Sequence, residues 1–211
     1  MTFPNAHLGV KRICRSQVLI MIAAVLMLLV SVMGAIMLAF SRSIAANILA
    51  AVMVVFSLGA LVLTLIGLVL CFFGINRARS DEPSFFKALI CVIVSLVLSV
   101  TVAFLSGAPT AESILQLLQC AVNLAATCFI ITGIRRLSRH LGRGDIDGRG
   151  KAVMIILIAV NVLAIIASLL SEICSGKSTG SAMSILSSFL NLVQYVIYIV
   201  FLKRSEEMLQ E

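Results

Sequence analysis

Charge is scarce in this chain. Of its 211 residues only 12% are Asp, Glu, Lys or Arg, whereas 61% are hydrophobic and the mean hydropathy is +1.17. A soluble domain carries about a quarter charged residues, so the composition excludes an ordinary soluble fold and points to an integral membrane protein. Histidine is scarcer still: His7 and His140 are the only two, both outside the long apolar runs, and no Asp falls inside those runs. A Ser-His pair, a carboxylate pair or a histidine metal centre within the membrane therefore has nothing to build it. The expectation is a non-enzymatic protein with no cofactor and no metal. The six cysteines, Cys14, Cys71, Cys91, Cys120, Cys128 and Cys174, form no CxxC pair. They read as small buried apolar side chains and not as a disulfide framework.

Short motifs add nothing catalytic. "SGKST" at 175–179 ends like a phosphate-binding loop but has Ser171 where that loop needs Gly, and no strand precedes it. "DIDG" at 145–148 lacks the closing Glu of a calcium loop. "RGD" at 143–145 falls on the side predicted to be cytoplasmic.

What the chain does have is six apolar runs, at 18–40, 44–75, 88–106, 113–134, 152–171 and 181–202. Each approaches or exceeds the roughly 20 residues that cross a hydrocarbon core about 30 Å thick. The second is long enough to require tilt or extension beyond the bilayer. The predicted fold class is all-α: a polytopic integral membrane protein with six transmembrane helices, arranged as three helical hairpins in a single domain over 1–211. The first run is far longer than the roughly 7–15 apolar residues of a signal peptide, so it is expected to stay in the protein.

Positive charge resists translocation and accumulates on the cytoplasmic side. Here Lys11, Arg12 and Arg15 precede the first run, and Arg77, Arg79 and Lys87 join the second to the third. Arg135, Arg136, Arg139, Arg143, Arg149 and Lys151 join the fourth to the fifth, and Lys203 and Arg204 follow the sixth. Of the 16 basic residues only Arg42 and Lys177 fall on the other side, so both termini are predicted cytoplasmic. The net charge of +7 is thus a topological signal. Its dispersal over four juxtamembrane segments, with no separate soluble domain, excludes nucleic acid as a partner. The segment "RRLSRHLGR" could continue as a basic interfacial helix favouring anionic head groups. Compactness and minimal loops point to a cell membrane, a bacterial plasma membrane being the expectation.

The basic exits resemble one another: "GINRAR" from Gly74, "GIRRLSR" from Gly133 and "FLKRSEE" from Phe201. "KALICVIVSLVLS" from Lys87 also resembles "KAVMIILIAVNVL" from Lys151, as a duplicated hairpin would. The second helix carries a different regularity. Ala46, Ala50, Met53, Ser57, Ala60, Thr64, Gly67, Cys71 and Gly74 recur at alternating steps of four and three, and all but Met53 are small. Such a series predicts a packing seam that lets a neighbouring helix approach closely in a left-handed crossing.

Polar residues within the spans are the candidate functional groups. On the fourth helix Glu112, Gln116, Gln119, Asn123 and Thr127 share one face, while Ile114, Leu117, Leu118, Val122 and Ala125 cover much of the rest. The fifth adds Asn161, Ser168 and Glu172; the sixth adds Ser184, Ser187, Ser188, Asn191, Gln194, Tyr195 and Tyr198. The third is intermediate, with Lys87, Cys91, Ser95 and Ser99 on one side. These faces predict that helices four to six converge, with Glu112 and Glu172 flanking an outer mouth that attracts a cation or an amine. The amides deeper in would supply neutral hydrogen bonds.

Size, six spans and two cytoplasmic ends resemble the substrate-capturing subunits of energy-coupling-factor vitamin transporters. The step from Ala35 to Ala39 adds a small-xxx-small pair on the first helix. The resemblance covers span count and length, not a motif. It implies a small solute held by helices four to six, and a membrane-protein partner or a second copy docked on helices one to three. The competing expectation is an accessory, immunity or interaction subunit with no ligand, whose polar faces hold its own helices together.

Overall fold

In a computed structural model, residues 3–39, 44–104, 109–173 and 178–210 are described. They form α1 (Pro4–Ala39), α2 (Ile44–Ala78), α3 (Ser84–Phe104), α4 (Pro109–His140), α5 (Gly144–Ile173) and α6 (Ser178–Gln210). All six are long and apolar enough to cross a membrane, which is compatible with a multi-pass integral membrane protein in contact with lipid.

The helices outrun the apolar runs. α1 begins 14 residues before the run at 18–40, and its 36 residues measure about 54 Å. The hydrophilic ends are therefore helical too, a continuation that hydropathy alone does not see. "RRLSRHLGR" belongs to this pattern: α4 continues unbroken through His140. It stops at Gly142, whose φ of +70° is the left-handed conformation only glycine adopts without strain. The Arg143 N–H then donates to the Ser138 carbonyl at 2.9 Å and the Gly142 N–H to Arg139 at 3.1 Å, satisfying carbonyls left open at the helix end. Of "SGKSTG", Ser178, Thr179 and Gly180 open α6, and 175–177 lie outside the described residues.

α1 starts with Pro4 in its first turn, where the missing N–H costs nothing. The preceding Phe3 has no side-chain oxygen to cap the helix. Asp81, in the connection between α2 and α3, supplies one: its Oδ2 accepts the Ala6 N–H at 2.7 Å and its Oδ1 accepts from Asn5 Nδ2 at 3.3 Å. The carboxylate also meets the positive end of the helix dipole.

The chain folds as two compact units. The first comprises the described residues of Met1–Cys14, Cys71–Ile158 and Val200–Glu211; the second comprises those of Arg15–Leu70 and Ala159–Ile199. In the first, glycines set the closest approaches. A Cβ on Gly74 would lie 2.8 Å from Ile13 Cγ1 and 2.9 Å from the Gly9 carbonyl, and one on Gly133 would lie 2.9 Å from the Phe85 ring. One on Gly150 would meet the Arg135 stem at 2.6 Å and Phe201 at 3.3 Å. Ile13, Ile75, Phe85, Ile131, Ile134, Leu137 and Leu202 are fully buried around these points.

In the second unit α1 lies against α2. A Cβ on Gly67 would stand 2.7 Å from Ile20 Cγ1, and the Ser16 hydroxyl donates to the Gly67 carbonyl at 2.6 Å. The opposite face of α2, with Val54, Val55, Leu58, Leu61, Val62, Leu65, Ile66 and Val69, is exposed along its length, as a lipid-facing surface must be.

Candidate functional site

The candidate polar residues of the spans lie on α3, α4, α5 and α6. On α4, Asn123 Oδ1 accepts the Ser95 hydroxyl at 2.6 Å, and Gln119 Nε2 donates to Ser99 Oγ at 2.6 Å. Ser99 passes its own proton back to the Ser95 carbonyl at 2.9 Å. The four side chains form one network between α3 and α4. Thr127 bonds its own helix, donating to the Asn123 carbonyl at 3.0 Å. Spacing alone leaves α3 intermediate and predicts that α4 turns toward α5 and α6. The described bonds of Gln119 and Asn123 go to α3 instead, because Ser95 and Ser99, one turn apart, offer donor and acceptor at matching heights.

Gln116 and Asn123 nevertheless remain exposed. They lie roughly 100° to 180° around α4 from the exposed apolar residues Ile114, Leu117 and Leu118. α6 has the same character. Asn191 is exposed, roughly 140° to 180° around the helix from the exposed Leu186, Phe189, Val196 and Val200. Tyr198 on that polar side is buried and Tyr195 half-buried. Asn161 of α5 donates to Gln194 Oε1 of α6 at 3.5 Å, a long bond, while its own Oδ1 is buried without a partner. Ser187 adds a second α6-to-α5 bond, donating to the Ala164 carbonyl at 3.4 Å.

Glu112 lies on α4 and Glu172 on α5, with side chains outside the described residues. On the small-residue series of α2, Ala60, Gly67, Cys71 and Gly74 are buried, with Gly67 and Gly74 against α1. Ser57 and Thr64 turn their hydroxyls onto the carbonyls of Met53 and Ala60, and Ala50 is half-buried. The Ala46 side chain is outside the described residues. Cys14, Cys71, Cys91, Cys120 and Cys128 are free thiols; Cys174 is outside the described residues. Among the described residues no three His, Cys, Asp or Glu side chains gather as metal ligands would.

The first unit also holds a set of ion pairs. Arg135 Nε meets Asp147 Oδ1 at 2.7 Å and Arg139 Nε meets its Oδ2 at 2.8 Å, so one carboxylate of α5 bridges two arginines one turn apart on α4. The hydrogen bond from Arg139, reinforced by Arg135, holds the Asp147 carboxyl below its ordinary range. Arg136 reaches Glu82 at 3.2 Å, and Glu82, itself buried, accepts the Ser84 hydroxyl at 2.9 Å. Lys11 of α1 meets Glu206 of α6 at 3.7 Å. Asp81, Glu82 and Asp147 escaped sequence reasoning because it assigned the charges beyond the spans to topology alone. The nearness of acids to arginines in "RARSDEP" at 77–83 and "RGDIDGR" at 143–149 was the available signal. Set against known proteins, the chain matches no family model, no curated protein and no solved structure.

Proposed function

We propose that the chain is a non-enzymatic multi-pass membrane protein that binds or transports a small hydrogen-bonding solute along the polar faces of α4, α5 and α6. The carrying observation is Asn191. It stands near the middle of the run at 181–202, on the side of α6 away from its exposed apolar residues, and its amide is open. At that depth acyl chains offer no hydrogen bonds, so an exposed amide requires water, a solute or another polar group. The available groups are amides and hydroxyls, suited to a neutral polar solute, with Glu112 and Glu172 reserved for a cation or amine at the mouth.

The proposed topology is three helical hairpins with both termini cytoplasmic. Support comes from Asn5 and Ala6 meeting Asp81 and from Lys11 meeting Glu206, contacts between the start of α1, the second connection and the end of α6. The distribution of basic residues assigns that side to the cytoplasm.

A second reading, an interaction or accessory subunit without ligand, draws on the bonds that Gln119, Asn123 and Gln194 already make to protein. Cysteine accessibility separates the two. In a cysteine-free background, Asn191→Cys and Gln116→Cys are expected to react with a membrane-impermeant charged thiol reagent, while Val196→Cys and Leu118→Cys are not. Protection at all four positions would overturn the hydrated-face reading in favour of the second.

A further inference from the structure

We infer that the basic end of the first unit is an anionic-phospholipid binding girdle, built from those cations that the fold leaves unpaired. Basic residues alike in sequence divide into two groups in the structure. Arg135, Arg136 and Arg139 of α4 are consumed by Asp147 and Glu82, and Lys11 by Glu206. Arg77, Lys87, Arg149, Lys151, Lys203 and Arg204 are exposed and, among the described residues, have no acid within ion-pair distance.

Their placement suits lipid. Each of the six lies within three residues of the end of an apolar run, so each leaves the hydrocarbon by no more than about 5 Å, the depth of the phosphate groups. They are contributed by α2, α3, α5 and α6, whose ends are joined within this unit by a chain of short contacts. Glu82, just before α3, meets Arg136 of α4; Asp147 of α5 meets Arg135 of α4; and Gly150 of α5 lies under Phe201 of α6. Charges contributed by four helices at one height are addressed by the lipids around a protein, whereas a docked acidic protein would engage one side. The acids that might have neutralised them, Asp81, Glu82, Asp147 and Glu206, are held inward by a helix N-terminus, a serine, two arginines and a lysine. Exposed acid at this end amounts, among the described residues, to Asp145 and Glu207. The internal pairs thus leave the outward charge strongly positive, and anionic head groups complete it.

The test uses the full-length protein in an equimolar mixture of phosphatidylcholine and phosphatidylglycerol, with retained lipids counted by native mass spectrometry. Phosphatidylglycerol is expected to exceed phosphatidylcholine among them by at least about fivefold, the ratio that a single surface cation supplies. Two disjoint double variants, Lys87→Gln with Lys151→Gln and Lys203→Gln with Arg204→Gln, should each lower that ratio, so either one that folds suffices. Arg136→Gln, which removes a paired cation, should leave it unchanged. A ratio near one for the unmodified protein overturns the inference, as does a preference that both double variants retain in full.

Discussion

The two compact units solve one problem by different means. In the first, helices are held by groups that reach far along the chain: Asp81 caps α1 at Ala6 from 75 residues away, and Arg136 meets Glu82 from 54 away. In the second, the described polar bonds are fewer, and two of them, Asn161 to Gln194 and Ser187 to Ala164, are 3.5 and 3.4 Å long. Glycines admit the closest approaches in both units, Gly74, Gly133 and Gly150 in the first and Gly67 in the second, but in the second few described polar bonds accompany them. Ionic pairing is available only where water and head groups help solvate the charges. Within hydrocarbon a lone charge is expensive, and close packing of small residues takes its place.

The largest expected effect tests the packing half of that contrast. Gly67→Leu drives a side chain into Ile20 and the Ser16 backbone, at the point where the Ser16 hydroxyl ties the helices together. Overpacking of this kind costs about 3 kcal/mol. Leu65→Ala, two residues away on the exposed face, should stay within about 0.5 kcal/mol. Unfolding in mixed micelles compares them, and equal losses would mean that the approach of α1 to α2 contributes nothing special.

An intermediate effect tests the ionic half. Asp81→Ala removes the cap from α1 and should cost about 1 kcal/mol. Faster hydrogen exchange at the Ala6 amide should accompany it, since that N–H loses its 2.7 Å acceptor. A destabilised protein with unchanged exchange at Ala6 would relocate the effect elsewhere in the connection.

The smallest effect lies in the polar network of α3 and α4. Ser95→Ala deletes the donor to Asn123, and intramembrane pairs of this type average about 0.6 kcal/mol. A loss several times larger would show that Ser95, Ser99, Gln119 and Asn123 act as one cooperative unit and would make the network a principal tie between the two helices.

The candidate site was legible in part. Spacing of four and three put Gln116, Gln119 and Asn123 on one face of α4, because an α-helix repeats every 3.6 residues wherever it packs. Spacing could not name the helix facing them. Ser95 and Ser99 were visible on α3 but resembled many hydroxyls that merely bond their own backbone, as Ser57 and Thr64 do. Likewise the small residues of α2 marked a face without saying that Ile13, Ser16 and Ile20 of α1 would lie on it.

By itself the sequence determined six helices long and apolar enough to cross a membrane, because an apolar run of about 20 residues satisfies its backbone away from water by bonding each N–H within its own helix. Only the tertiary structure decided which charges are internal and which face outward. Arg135 and Lys151 belong to one basic connection and differ in nothing a hydropathy profile records; the first meets Asp147 and the second is left to the solvent or a head group. That division depends on distances of a few ångströms between helices far apart in the chain, and electrostatic pairing falls away too steeply with distance to be read from order along the sequence.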